Sequence, residues 1–172
     1  MASSEEPPVL KIGITGHQRR DGADWDWTRS AIAQILAGCQ TRVEGWTSLA
    51  GGADQIFAEE VLKQDGKLVA VIPMEHYERA FENEGQRLKY QLLRSQSQRS
   101  IQIDETDPQT AFYTAGRMIV DQSKIMVAVW DELPSRGRGG TADVVSYAES
   151  KDKDVIILNP ISRIFKRSSR SS

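Results

Sequence analysis

The stretch RVEGWTSLAGGADQIFAEEVLKQDGKLVAVIP (Arg42–Pro73) decides the fold class of this chain. It opens with a strand-like run at Arg42–Leu49, passes through the small-residue turn AGGAD, and continues into a helix with apolar residues at helical spacing. The run KLVAVIP (Lys67–Pro73) that follows is continuously apolar, as expected of a strand that is covered on both faces. This strand–helix–strand order predicts two parallel strands joined by a crossover helix.

The same alternation continues on both sides of this unit. Further strands are predicted at Val9–Thr15, Ser100–Asp104, Lys124–Trp130 and Asp154–Pro160, with helical patterns between them. We therefore expect an α/β fold, a single Rossmann-like, doubly wound parallel sheet with helices on both faces. The predicted domain spans residues 9–161, with a disordered tail at 1–8 and a basic, Ser-rich tail at 162–172.

Composition narrows the function classes. The chain has 172 residues and a net charge of -2, so no global basic field indicates nucleic acid, and we expect none as a partner. The lone Cys39 and the distant His17 and His76 show no metal-ligand spacing, and we expect neither metal nor cofactor. The first residues lack signal-peptide features and no apolar run could span a bilayer, so we expect a cytoplasmic protein without a membrane partner.

Glycine-rich or polar segments follow four of the predicted strands. They are GHQRR (Gly16–Arg20), SLAGGADQ (Ser48–Gln55), PMEHYERAF (Pro73–Phe81) and DELPSRGRGGTAD (Asp131–Asp143). The carboxyl ends of parallel strands meet at one edge of a sheet, and ligands of open α/β sheets bind at that edge. We therefore expect the four segments to form one binding site.

Two of these segments resemble phosphate-binding turns. Glycines allow the backbone to approach a ligand closely, and the helix start that follows offers free N–H groups to an anion. In the first turn Asp54 either complements the helix dipole or accepts a hydrogen bond from a ribose hydroxyl. The second turn, within Arg136–Thr141, is either a solvated surface loop or a phosphate site. Its expected position opposite the first turn, AGGAD, favours the phosphate site. The predicted contacts are Ser48, Gly51, Gly52, Ala53 and Asp54 in the first turn, and Arg138, Gly139, Gly140 and Thr141 in the second.

Other candidates are single side chains with two interpretations each. His17 is either a proton carrier beside the ligand or an ordinary loop residue. Tyr77 either flanks a ring of the ligand or covers the core, and Arg117 either contacts the ligand or pairs with Asp121 on the surface. Gly16, Arg19 and Asp131 complete the predicted ligand contacts.

Three of these motifs together resemble the SLOG superfamily, a Rossmann-like group that includes the DNA-processing protein A and Lonely Guy families. They are GITGH, SLAGGADQ and VAVWDELPSRGRGGTADVVSYAE, and the resemblance, in particular to bacterial SLOG-type proteins, covers Val9–Pro160. It implies a nucleotide or nucleotide-derived ligand, either ADP-ribose-like or a cyclic nucleotide. Some members cleave the N-glycosidic bond of nucleoside 5'-monophosphates, and others sense second messengers in bacterial defence signalling. Members commonly form homodimers.

The chain departs from the PGGxGTxxE motif of the hydrolytic members. Gly140 and Thr141 match, but Arg136 replaces the proline, Arg138 replaces the second glycine, and Val144 replaces the glutamate. An apolar side chain cannot stabilise an oxocarbenium-like transition state or position water. The sequence therefore favours a binding module, either a sensor or a sequestering protein.

The alternative is an N-glycosidase in which another carboxylate replaces the missing glutamate. The candidates are Asp131, Asp143 and Asp54, and Asp131 is preferred because it ends a strand at the ligand edge. A sensor of this size would act through an effector protein or by self-association. The helix Glu84–Gln96 is the candidate homodimer contact, although its leucines would equally suit the core of the chain itself.

Overall fold

The computed structural model describes residues 5–135 and 139–168, which form alternating strands and helices. The strands are β1 (Val9–Gly16), β2 (Arg42–Thr47), β3 (Lys67–Ile72), β4 (Arg99–Gln102), β5 (Ile125–Val129), β6 (Asp154–Asn159) and β7 (Ile164–Ser168). The helices are α1 (Trp25–Ala37), α2 (Ala53–Lys63), α3 (Glu84–Gln96), α4 (Pro108–Gln122) and α5 (Thr141–Ser150). A single 3₁₀ turn, Tyr77–Ala80, precedes α3.

The strands form one sheet in the order β4-β3-β2-β1-β5-β6-β7. All neighbouring pairs are parallel except β6 and β7. The chain builds outward from β1 to β4 and then returns to place β5 on the other side of β1, so the topological switch point lies between β1 and β5. The predicted Rossmann-like α/β sheet is thereby confirmed.

Helices cover the two faces of this sheet in separate groups. Residues of α1, α2 and α3 form one buried cluster with the sheet, in which Phe57 is fully buried. Residues of α4 and α5 form a second cluster on the other face, which includes Trp46 and Met126. At Gly13 an added Cβ would lie 2.6 Å from a methyl carbon of Ile119 in α4, so the missing side chain lets α4 approach the sheet closely.

Helix starts differ in a way that bears on function. Asp24, Asn83 and Asp107 cap α1, α3 and α4 through their side chains, and Pro108 follows Asp107 as the sequence predicts. The glycines at the starts of α2 and α5, Gly52 and Gly140, make no capping hydrogen bond. The first N–H groups of these two helices must therefore find partners elsewhere.

The C-terminal segment differs from the expected tail. Ile164–Ser168 form β7, which pairs antiparallel with β6, so the expectation of a tail is wrong for these residues. The ammonium of Lys166 lies 2.8 Å from Glu132, which ties β7 to the loop after β5. The strand was missed because Ile164 and Phe165 are its only apolar residues, too few for a periodic signal. The predicted domain limits stay a prediction.

None of the helices within residues 5–135 and 139–168 combines the length and apolarity needed to cross a bilayer.

Candidate functional site

A cavity of about 320 Å³ opens at the carboxyl edge of the sheet, beside the switch point. It lies between the loop after β1, the loop after β5 and the start of α5. Ser48 and Ala50 reach it from the loop after β2, and Asp54 reaches it from the first turn of α2. Ile14, Ile119 and Val144 contribute apolar surface. Three of the four predicted segments therefore meet here, whereas no residue of Pro73–Phe81 lines this cavity.

The start of α5 contributes backbone rather than side chains to this cavity. Gly139, Gly140 and Thr141 line it, as does Ala142. Gly139 has a φ of +84°, and a Cβ there would lie 3.0 Å from the Tyr113 backbone nitrogen, so only glycine fits without strain. The uncapped first turn presents N–H groups and the positive end of a helix dipole to the cavity. Arg138, predicted to join this site, lies outside the described residues.

The AGGAD turn has a different role from the one its glycines predict. Gly52 has a φ of +76°, and a Cβ there would lie 2.6 Å from the carbonyl oxygens of His17 and Gln18. The Ala53 N–H, in the first turn of α2, donates to the His17 carbonyl at 3.2 Å. A Cβ on Gly51 would overlap the Gln86 side chain. The missing side chains of Gly51 and Gly52 thus let this turn pack against neighbouring protein, and Gly51, Gly52 and Ala53 do not line the cavity.

Asp54 lies at the cavity and also braces the turn. Its carboxylate accepts a hydrogen bond from the Ala50 N–H at 3.2 Å, and the carboxyl is buried. Burial raises the pKa of Asp54 to about 7, although hydrogen bonds from Ala50, Ser48 and Thr47 favour the charged form. Asp54 is therefore a carboxyl group in the cavity wall that changes protonation near neutral pH.

His17, Arg20 and Asp131 form a polar cluster next to the cavity. The Arg20 Nε lies 2.8 Å from Asp131 Oδ2, and the His17 Nε2 lies 3.2 Å from both Asp131 Oδ1 and the Asp131 backbone nitrogen. Burial of the Asp131 carboxyl opposes its ionisation, but the Leu133 N–H, His17 and Arg20 outweigh this and lower its pKa. A carboxylate with a lowered pKa is a weak general base.

Sequence reasoning missed several residues of this site. Arg20 was not singled out, because two successive arginines give no signal of which one turns inward. Phe112 and Gly116 of α4 line the cavity, as does Trp130 after β5. Gly116 packs against α5, since a Cβ there would lie 2.7 Å from a Val144 methyl group. A helix that contributes its side to a cavity leaves no local motif, which is why Phe112 and Gly116 were not identified.

Three predicted site residues lie elsewhere. Tyr77 is buried beside Tyr90 and Phe81 with ring centroids 5.1 Å apart in each case, so it covers the core. The guanidinium of Arg117 lies 5.1 Å from the Tyr147 ring on the outer surface of α4 and α5. Asp143 accepts a hydrogen bond from the Gly139 N–H at 2.9 Å and lines a separate shallow depression. None of these three side chains borders the cavity.

The described part of the chain contains no group of three or more His, Cys, Asp or Glu side chains that could hold a metal ion.

No protein-family model and no curated protein sequence matches this chain. Solved structures do match it. DNA processing protein A from Streptococcus pneumoniae superposes with a TM-score of 0.62 at 16% identity, over 88% of this chain and 50% of that one. The same protein from Helicobacter pylori superposes with a TM-score of 0.64 at 18% identity, over 87% of this chain and 65% of that one. The molybdenum cofactor binding protein from Rippkaea orientalis superposes with a TM-score of 0.55 at 16% identity, over 88% of this chain and 77% of that one.

These comparisons show that the chain shares the Rossmann-like α/β fold of these proteins, which is the fold that the resemblance implied. The chain spans half of the Streptococcus pneumoniae structure and about two thirds of the Helicobacter pylori structure. The second of these is described by its single-stranded DNA binding mode, so the expectation that excluded nucleic acid from the partners is wrong. That expectation rested on net charge, which sums over the whole surface and says nothing about local basic residues such as Arg19.

Proposed function

We propose that the chain binds a nucleotide or nucleotide-derived ligand in the carboxyl-edge cavity, as a sensor or sequestering module. The uncapped start of α5 carries this proposal, because Thr141 and Ala142 line the cavity and the first N–H groups of a helix lack partners within the helix. Arg19 and Arg20 line the same cavity and add positive charge for a phosphate. Phe112 and Trp130 add aromatic surface of the kind that packs against a base.

Binding without hydrolysis is supported by where the carboxylates lie. Val144 occupies the position of the glutamate in hydrolytic members and is buried. Asp131 is held by Arg20 and His17, and Asp143 is held by the Gly139 N–H. Neither carboxylate is therefore well placed to act as the general base that the sequence analysis considered. Second-messenger sensing, defence signalling, an effector partner, self-association and a cytoplasmic location remain predictions.

One observation favours an N-glycosidase as the second candidate. Asp54 lines the cavity, and burial raises its pKa to about 7, which suits a general acid or base at neutral pH. In this alternative Asp54, rather than Asp131, replaces the missing glutamate. The two candidates differ in the fate of the ligand, since a binding module releases it unchanged.

The experiment is calorimetry with 5'-AMP as the probe, followed by chromatography of the recovered nucleotide. Thr141→Pro tests the anion site. It removes the first N–H of α5 and leaves the helix intact, because proline is favoured at this position and Gly140 has the extended backbone (φ −71°, ψ 174°) required before proline. We expect a loss of about tenfold or more in affinity, since a hydrogen bond to a charged group is broken.

Two variants control this result. Thr141→Ala removes the hydroxyl but keeps the N–H group, and Glu84→Pro makes the same substitution at the first position of α3, far from the cavity. We expect Glu84→Pro to bind AMP as the unmodified protein does and Thr141→Ala to lose less than Thr141→Pro. Equal affinity in Thr141→Pro would refute the proposal, because the start of α5 would then not hold the phosphate. Recovery of adenine and ribose phosphate would establish the enzyme instead, and Asp54→Asn should then abolish turnover.

A further inference from the structure

The central cavity does not end at the loop after β1. A second cavity of about 270 Å³ and a third of about 390 Å³ lie along the same edge of the sheet. Gln18 lines all three, Arg19 lines the first and second, and Gln86 lines the second and third. Because neighbouring cavities share lining residues, they lie side by side along this edge, and together they are called here the edge groove, from α5 to the space between α2 and α3.

The outer part of the edge groove has aromatic and amide groups. Phe81 lines the second cavity and Trp25 the third. Gln55 lines the third cavity and is buried, and its Nε2 donates to the carbonyls of Leu49 at 3.3 Å and Gln86 at 2.8 Å. Both amide hydrogens are thus used, and the Oε1 acceptor has no partner among the described residues. A ring with hydrogen-bonding edges suits such surroundings.

Arg19 lies at the junction between the central cavity and the outer part. Its guanidinium is 3.8 Å from the Glu82 carboxylate, and 76% and 85% of the two side chains are exposed. An exposed ion pair of this length contributes little, so Arg19 can exchange Glu82 for a phosphate at small cost. The two cations that line the third cavity, Arg29 and Lys89, are already paired with Glu59. Cationic charge for a ligand is therefore concentrated at the junction rather than at the far end.

We propose that the edge groove binds a dinucleotide, in which two nucleoside units are joined by a phosphate bridge. The first unit occupies the central cavity, the phosphate bridge extends from the start of α5 to Arg19, and the second unit occupies the outer part beside Phe81. This assignment rests on the proposed function for the first unit. The central cavity alone, at about 320 Å³, is at the small end of ligand pockets, which range over about 300–1,000 Å³, and the outer cavities accommodate the remainder.

The test compares 5'-AMP with diadenosine diphosphate, in which two such units share a pyrophosphate bridge, by calorimetry. We expect the dinucleotide to bind at least about tenfold more tightly, because the second unit adds contacts that AMP lacks. Ala80→Trp places a bulky ring in the second cavity, and Phe81→Leu removes the ring there while keeping apolar packing. Both should reduce the affinity for the dinucleotide to that for AMP and leave AMP binding unchanged. Ala37→Trp, exposed at the end of α1, is the matched control and should change neither affinity.

The outcomes separate the two proposals. If Thr141→Pro weakens the binding of AMP, but the dinucleotide binds no more tightly than AMP, the dinucleotide proposal is wrong and the proposed function stands. If AMP affinity is unaffected by Thr141→Pro, the proposed function itself fails. If a deoxyadenosine tetranucleotide binds much more tightly than the dinucleotide, and Ala80→Trp abolishes that gain, the groove serves single-stranded nucleic acid and the dinucleotide assignment is overturned.

Discussion

Replacing Asp54 by asparagine isolates the energetic effect of one buried carboxyl group. Asparagine keeps the size and an acceptor oxygen for the Ala50 N–H but never ionises. In the unmodified protein, burial raises the pKa of Asp54 from 3.8 to about 7. At pH values between 3.8 and about 7, the folded protein therefore retains a proton that the unfolded chain has lost. This proton contributes stability at low pH that disappears as the pH rises through the folded-state pKa.

The size of the effect follows from the two pKa values. At pH 9 Asp54 is ionised in both states, whereas at pH 5 it is protonated only in the folded protein. The linkage relation then gives about 2.7 kcal/mol more stability from this group at pH 5 than at pH 9. Other groups change the total as well, so the informative quantity is the difference between Asp54→Asn and the unmodified protein at each pH.

Urea denaturation at pH 5 and pH 9 measures this quantity, with the free energy of unfolding extrapolated to water. Relative to the unmodified protein, the free energy of unfolding of Asp54→Asn should be about 2.7 kcal/mol higher at pH 9 than at pH 5. Glu149→Gln, an exposed carboxylate on α5, is the control and should follow the unmodified protein at both values. If the effect of Asp54→Asn on the free energy of unfolding is the same at pH 5 and pH 9, the reasoning about burial is refuted.

Three further substitutions test the packing and the polar cluster. Gly52→Ala should lower the free energy of unfolding by more than about 2 kcal/mol, because it adds strain at a φ of +76° and a clash with the loop after β1. Gly38→Ala is its control and should change the free energy of unfolding by less than about 0.5 kcal/mol, because the nearest atoms are 3.5 Å away. Similar losses would show that the clash does not matter. Arg20→Gln should raise the pKa of Asp131 in a carboxyl NMR titration, because a paired positive charge is removed; an unchanged pKa would contradict that pairing. Phe57→Ala should cost about 3–5 kcal/mol in denaturation, and a loss below about 1 kcal/mol would contradict its full burial.

The fold was largely predictable because its signals are local. The unit Arg42–Pro73 has an apolar run at each end and a helical pattern between them, and both strands and the helix occur as expected. The cap at Asp107 and Pro108 is equally local, since the Asp107 side chain accepts from the Thr110 N–H at 2.8 Å. The strand β7 was not predictable in this way, because it depends on pairing with β6 and on the ion pair between Lys166 and Glu132.

The helix α3 shows the same limit for surfaces. Its leucines were predicted to face either a second copy or the core, and the structure divides them. Leu93 is buried, whereas Leu88 and Leu92 are 54% and 57% exposed. A spacing of three or four residues places side chains on one helix face, but the edges of that face are decided by neighbouring elements. The homodimer itself stays a prediction.

The site was predictable in position but not in the roles of its two glycine turns, and the reason is topological. The loops after β1 and β2 both lead to helices on the same face of the sheet, so Gly52 fits against the backbone of His17 and Gln18. The loop after β5 leads to α5 on the opposite face, and it therefore diverges from the loop after β1. A crevice must open where adjacent loops diverge in this manner. The same residue type thus closes a contact in one turn and borders the central cavity in the other, and only the strand order separates the two cases.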